Sequence, residues 1–388
     1  MPTNLPETNQ HTNCIHTGAE KLPEAFGLNT PIVTSSAFDY RDGIVRYPRY
    51  HNGLNHAVVA RRLAALEGGE DALITASGLG AISAIFFSLL SPGDHAIVLD
   101  GLYGGTLDLI DGLLKPLGFE FSIWDGDPAN LEQHLRESTK MIYVESPTNP
   151  MLDVVNLGAV ANFAKKNDLT SVIDSTFATP ILQQPIALGF DLVMHSATKY
   201  FGGHSDLLAG ALIGSAQMIE RLKPNVIRLG SSLNGQDLYL LERSIKTLAL
   251  RVERQSANAA ELAEWLDAHP RIDQVFYPGL KDHPRHAVAA QQMSGFGGML
   301  SFRLTKTVDP EQFLNDLALI QPAVSLAGVE SMICQPRYTS HAKIGDAERM
   351  RLGIDEHVMR LSVGIEGVDD LKHDLDGALS RALNSALG

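Results

Sequence analysis

Cysteine is scarce in this 388-residue sequence. Only Cys14 and Cys334 occur, far apart and without a CxxC spacing or a histidine-rich neighbourhood, which excludes a disulfide framework and leaves no zinc motif. Long apolar runs are also lacking. The longest, Leu79 to Leu90, is interrupted by Gly80 and Ser83 and falls short of the roughly 20 residues that span a bilayer, so no membrane segment is expected. Positive charge is in deficit: the formal net charge is −14, which repels phosphate backbones and argues against a nucleic-acid partner. The opening stretch, Met1 to Lys21, is polar and has no apolar core of the signal-peptide kind. Together these absences point to a cytoplasmic protein that works on a small molecule.

What is present is ordinary globular material, 44% hydrophobic and 20% charged, in a length that suits two domains of unequal size. Residues 1–56 are rich in Asn, Thr, Pro and His with no sustained period, and read as an extended arm that must pack on something else. Residues 57–250 begin with a helix that carries Val59, Leu63 and Leu66 on one face and closes at Gly68-Gly69. Short apolar runs then alternate with helical patterns. Strands are expected at residues 96–99, 119–124, 141–144, 171–173, 192–194 and 209–213, and helices at 80–90, 102–114, 131–138 and 156–167. That alternation predicts an α/β domain with a mainly parallel sheet covered by helices, and a ligand site beyond the strand ends. A long helix over 237–268 leads into residues 251–388, where strands at 274–277, 298–303 and 359–363 suggest a smaller α+β unit.

The run Met194-His195-Ser196-Ala197-Thr198-Lys199 takes a buried strand directly into two hydroxyls and a lysine. Asp174 ends another apolar run, which places it at the carboxyl end of a parallel strand. A lysine that carries an aldehyde as a Schiff base and an acid that holds a ring nitrogen protonated are the two groups a pyridoxal cofactor requires. Ser77-Gly78-Leu79 opens the helix of Ile82, Ile85 and Phe86, and backbone N–H groups at such a terminus bind phosphate. Each feature alone also admits a plainer reading. Lys199 could lay its stem over apolar surface, Asp174 could cap a turn, and Ser77-Gly78 could be a simple helix start.

Taken together, these residues resemble the Cys/Met-metabolism family of pyridoxal-phosphate enzymes, which includes cystathionine synthases and lyases and methionine gamma-lyase. Ser196-Ala-Thr-Lys199-Tyr-Phe-Gly-Gly-His-Ser-Asp206 is similar to the family's lysine signature, and the likeness runs from about Gly18 to Gly367. It implies a fold-type I architecture. Lys199 would bind pyridoxal 5'-phosphate as an aldimine and Asp174 would meet the ring nitrogen. Gly78, Leu79, Ser196 and Thr198 would hold the phosphate, with Tyr103 stacked on the ring. Asn149, in Glu145-Ser-Pro-Thr-Asn-Pro150, would lie near the cofactor hydroxyl and the substrate carboxylate, which Arg360 would grip. Ser325 belongs to the substrate side, and Tyr47 and Arg49 would reach the cofactor phosphate of a neighbouring subunit. A homotetramer built from two such dimers is implied.

The reaction the resemblance implies is carbon-sulfur cleavage of cystathionine or a related thioether. γ-Replacement on an activated homoserine, a methionine gamma-lyase and a non-catalytic cofactor-binding regulator are the alternatives; the regulator would be marked by loss of Lys199, Asp174 or Arg360, and all three are present. Several positions depart from the family pattern. Val324 stands where a glutamate often precedes the serine, Gly105 where methionine gamma-lyases carry cysteine, and Ala327 where glycine is usual. Ser175 replaces an asparagine, and His51-Asn-Gly-Leu-Asn55 the common Gly-Asn-Pro-Thr. These changes surround the substrate entrance rather than the cofactor.

Overall fold

Aliphatic runs that are buried from end to end become the inner strands of a seven-stranded sheet. In chain order the strands are β1 (Asp71–Thr75), β2 (His95–Leu99), β3 (Glu120–Trp124), β4 (Thr139–Glu145), β5 (Thr170–Asp174), β6 (Leu192–His195) and β7 (Gly210–Gly214). In space their order is β1-β7-β6-β5-β4-β2-β3. All neighbours are parallel except β7, which runs against both β1 and β6. The computed structural model describes residues 9–18 and 28–383, so part of the expected arm lies outside the described residues.

Helices cover the sheet on both faces, as a parallel sheet requires. They are α1 (Gln10–His16), α2 (Leu54–Glu67), α3 (Gly78–Leu89), α4 (Gly104–Leu109), α5 (Leu157–Lys166), α6 (Thr179–Leu182), α7 (Ala216–Arg228), α8 (Gly235–Ile245) and α9 (Leu248–Asp267). Ile82 and Ile85 of α3, Val160 of α5 and Leu222 of α7 share one core with Ile97, Ile142, Val172 and Val193 of the strands. On the opposite face Val59 and Leu63 of α2, Leu241 of α8 and Val252 of α9 pack on Ile74 and Ile213. A second sheet follows, with β8 (Ile272–Phe276), β9 (Met299–Leu304), β10 (Gln321–Pro322), β11 (Met332–Cys334) and β12 (Val358–Ser362) in the order β10-β11-β12-β9-β8. Among the described residues no helix is long and apolar enough to cross a membrane.

The mainly parallel, helix-covered sheet and the smaller sheet unit both form as the sequence predicts. Four local differences have physical causes. The arm contains α1, whose Cys14 is buried and whose carbonyl accepts from the fully buried Arg62 at 2.5 Å. The expected long helix is two helices, because the Thr247 hydroxyl donates back to the Ser244 carbonyl at 3.2 Å and so competes with the helical pattern. The helix expected over 131–138 is a tight 3₁₀ stretch, Pro128–His134, in which only Leu131 is buried, leaving no apolar stripe to dock. Strand β1 pairs with β7 although its apolar core is just Ala72-Leu73-Ile74, too short to give a periodic signal.

Candidate active site

The carboxyl ends of β4, β5 and β6 lie side by side, and each delivers a polar residue. Asp174 is the last residue of β5 and is 6% exposed. Its carboxylate accepts from the Thr176 N–H at 3.0 Å. Burial pushes the Asp174 carboxyl up, against which the Thr176 donors and the nearby His195 work in the other direction. His195 ends β6 and forms a buried pair with Glu67 of α2, its ring edge-on to Phe201.

Lys199 sits on the turn after β6. Its Nζ donates to the Ser325 hydroxyl at 2.6 Å. Burial first, and then the Arg360 charge, lower its pKa from 10.5 to about 8. The turn is tied to α9 by Arg251, which donates to the Tyr200 carbonyl at 2.7 Å and the Ser244 carbonyl at 3.0 Å. Gly203, at φ +66°, leaves the room in which that guanidinium lies.

Arg360, in the centre of β12, is 4% exposed, so it is no surface arginine. It donates to Asn149 Oδ1 at 2.9 Å and to the Ser325 carbonyl at 3.1 Å. Ser325 thus meets Lys199 through its hydroxyl and Arg360 through its carbonyl. Its φ of +81° is a left-handed conformation that a serine adopts only at a cost of about 1–3 kcal/mol. Ala327 has φ +68°, which gives a physical reason for glycine being usual there.

The α3 terminus offers an anion cradle. The first-turn N–H groups of Gly78 and Leu79 have no helical partner, while the Ser77 side chain caps Gly80 at 3.0 Å. A Cβ on Gly78 would lie 2.8 Å from the Ser196 Cβ and Oγ, so only glycine admits this approach of helix and lysine loop. Thr198 is engaged otherwise than expected, with its hydroxyl donating to the Ala209 carbonyl at 3.1 Å and accepting from the Ala209 N–H at 2.9 Å. Tyr103 caps α4 with its side chain 42% exposed and its backbone N–H donating to Glu145 at 2.8 Å.

Lys199, Ser325, Arg360 and Asn149 are therefore joined through hydrogen bonds, with Asp174, Tyr103 and the Gly78 cradle at the neighbouring strand ends. Tyr47 and Arg49 stand apart. They belong to an exposed turn in which the Arg49 guanidinium lies 5.7 Å from the Tyr47 ring and 5.3 Å from the Tyr50 ring. Among the described residues no hydrogen bond links that turn to Lys199, Asp174 or Gly78. Sequence reasoning missed Glu145, His195, Arg251 and the buried His341, whose pKa burial and Arg360 lower to about 4. Glu145 and His195 had a legible signal, since they end β4 and β6 just as Asp174 ends β5.

The residues present fit pyridoxal phosphate on this chain's own geometry: an anion cradle that a Cβ would fill, a buried acid at a strand end and a lysine with a lowered pKa.

A family model described as "Cys/Met metabolism PLP-dependent enzyme" matches residues 11–380. The chain is 42% identical over 376 residues to a cystathionine beta-lyase of Coxiella burnetii, covering 95% of this chain and 97% of the relative. It is 41% identical over 381 residues to a cystathionine beta-lyase of Lactococcus lactis subsp. cremoris, covering 96% and 100%. The crystal structure of a cystathionine gamma-lyase from Lactobacillus plantarum, complexed with L-serine, superposes with a TM-score of 0.93 at 38% identity over 97% of this chain and 99% of that one.

Proposed function

The chain belongs to the Cys/Met-metabolism family of pyridoxal-phosphate-dependent enzymes, makes or breaks carbon-sulfur bonds, and, we propose, cleaves cystathionine on its β side. The observation that carries this reading is Ser325, which holds the Lys199 amine at 2.6 Å and the Arg360 guanidinium at 3.1 Å and so fixes a base beside a carboxylate grip. Arg360 binds the substrate's α-carboxylate through two parallel hydrogen bonds. Lys199, as a neutral amine, takes the proton from the adjacent Cα. Bound here, pyridoxal phosphate supplies a reactive aldehyde and a sink for the electrons left on Cα.

Asp174 keeps the ring nitrogen protonated. Gly78, Leu79 and Ser196 would hold the phosphate, with Thr198 tying their loop to Ala209, and Asn149 would orient the ring hydroxyl and Arg360. The Tyr103 ring would cover the cofactor, and its hydroxyl, with that of Tyr47 from a second subunit, would serve proton transfers. Cleavage on the β side leaves homocysteine, pyruvate and ammonia.

Two observations favour this substrate over methionine. Both beta-lyase relatives match nearly end to end, and Gly105 leaves room that the Tyr103 ring fills, because a Cβ there would lie 2.5 Å from the ring's Cε1. Incubating the holoenzyme with cystathionine tests the reading: pyruvate is the expected keto acid. Release of 2-oxobutyrate would indicate γ-cleavage, and formation of neither acid would remove cystathionine cleavage from consideration.

The lowered Lys199 pKa gives a second test. Only the unprotonated amine attacks the cofactor's aldehyde, and burial of the ammonium favours that form from about pH 8 upward. Reconstitution of the apoprotein, followed by growth of the visible band, is expected to accelerate about tenfold per pH unit below that value and to level off above it. A break near 10.5, the ordinary lysine value, would contradict the assignment.

The exposed Tyr47 and Arg49 turn supports a dimer that shares sites, each arm reaching its neighbour's phosphate, and the family resemblance pairs two such dimers in a homotetramer. The two free, buried thiols Cys14 and Cys334 support a reducing, cytoplasmic setting.

A further inference from the structure

Glu145 is a buried carboxyl group, 5% exposed, for which the reaction as derived has no use. It ends β4 opposite Asp174 of β5, so the two acids are direct partners across parallel strands. The Tyr103 N–H donates to Glu145 Oε2 at 2.8 Å, and the Asn149 backbone N–H faces the same carboxyl group and favours its charged form. Asn149 in turn holds Arg360 through Oδ1 at 2.9 Å. One side chain therefore touches the backbones of two site residues that come from different loops, Leu102–Gly104 after β2 and Ser146–Pro150 after β4.

We propose that Glu145 is a positioning residue: by accepting from the Tyr103 N–H and facing the Asn149 N–H it sets the stacking ring and the Asn149-Arg360 grip relative to one another. The proposal rests on the cofactor and substrate roles given above for Tyr103, Asn149 and Arg360. The Tyr103–Glu145 bond is partly buried, so the acceptor is costly to lose: an unpaired donor there keeps a desolvation penalty. Burial and then the Asp174 charge push the Glu145 carboxyl well above the usual carboxylate range, which favours a neutral acid. A neutral bridge leaves Asp174 as the acid that answers the ring nitrogen's charge.

The test compares wild-type, Glu145→Leu and Glu145→Gln holoenzymes. Leucine keeps the volume and removes both acceptors, whereas glutamine keeps the shape, the neutrality and one acceptor oxygen. Visible circular dichroism per bound cofactor reports the ring's setting independently of turnover. In Glu145→Leu it is expected to fall below about half, with kcat/KM down about 10²-fold, the scale of an ångström-sized misplacement. Glu145→Gln is expected to recover about tenfold of that loss, as a retained hydrogen bond allows.

A Glu145→Leu enzyme with unchanged dichroism and kcat/KM, even if it melts earlier, overturns the proposal. So does a Glu145→Gln enzyme as impaired as the leucine variant. Should Glu145→Leu fail to accumulate folded, Glu145→Asp decides, because it draws the carboxyl back by about 1.5 Å; undiminished dichroism and turnover there overturn the bridge as well. Failure of the wild-type protein to bind the cofactor with a visible band would instead strike the parent reading.

Discussion

Lys199→Ala is expected to abolish turnover, by about 10⁴-fold or more, because it removes the proposed general base and covalent anchor at one stroke. The visible colour of the bound cofactor should vanish with it, since the amine hydrogen-bonded at the centre of the site, 2.6 Å from the Ser325 hydroxyl, is gone. Burial disfavours the Lys199 ammonium in the folded protein, so losing that charge is not itself destabilising. A folded Lys199→Ala protein that retained both colour and activity would sink the assignment. The same variant probes the shared site. Arg49→Ala subunits keep their own Lys199, so mixing them with Lys199→Ala subunits restores one complete site per mixed dimer, or about a quarter of wild-type activity for random pairing. No recovery on mixing would argue that Arg49 serves its own subunit.

Much of this site was legible because chemistry and strand ends coincide. Asp174 follows the buried run of β5 and Lys199 comes four residues after the end of β6, so local hydrophobicity alone placed both at the carboxyl edge of a parallel sheet. Gly78 was legible as a helix start, but its close approach to Ser196 depends on two segments over a hundred residues apart. Arg360 was the hardest to read. It sits among Met359 and Leu361 in a strand whose residues are all buried, a context that alternation does not distinguish from an edge strand, and its partners Asn149 and Ser325 lie 211 and 35 residues away. What Glu145 and Arg251 do stayed silent for a related reason. Both act through backbone groups of other loops, Tyr103 and Tyr200, and no side-chain pattern encodes a backbone partner. The breaks in the expected helices were invisible too, since a threonine hydroxyl returning to Ser244 is one of several options an isolated segment has.

Arg360 carries the second large effect. Truncation to alanine removes the cation proposed to hold the substrate carboxylate in a buried site, and losing one partner of such a pair costs about 2–5 kcal/mol, which corresponds to a fall in kcat/KM of about 10²–10³-fold at the midpoint of that range. Arg360→Lys should restore little of it, because one ammonium cannot serve Asn149 Oδ1, the Ser325 carbonyl and two carboxylate oxygens from a single plane. The variant also has a readout that needs no substrate. After burial, the Arg360 charge is the second cause of the lowered Lys199 pKa, and it acts by repelling an ammonium. Removing it favours the charged amine, so the pH at which reconstitution levels off must move upward from about 8 in Arg360→Ala, while Arg360→Lys, still cationic, should stay closer to the wild-type break. A break that did not move in the alanine variant would mean that Arg360 and Lys199 do not share one electrostatic site, and the coupling of grip to base through Ser325 would have to be abandoned.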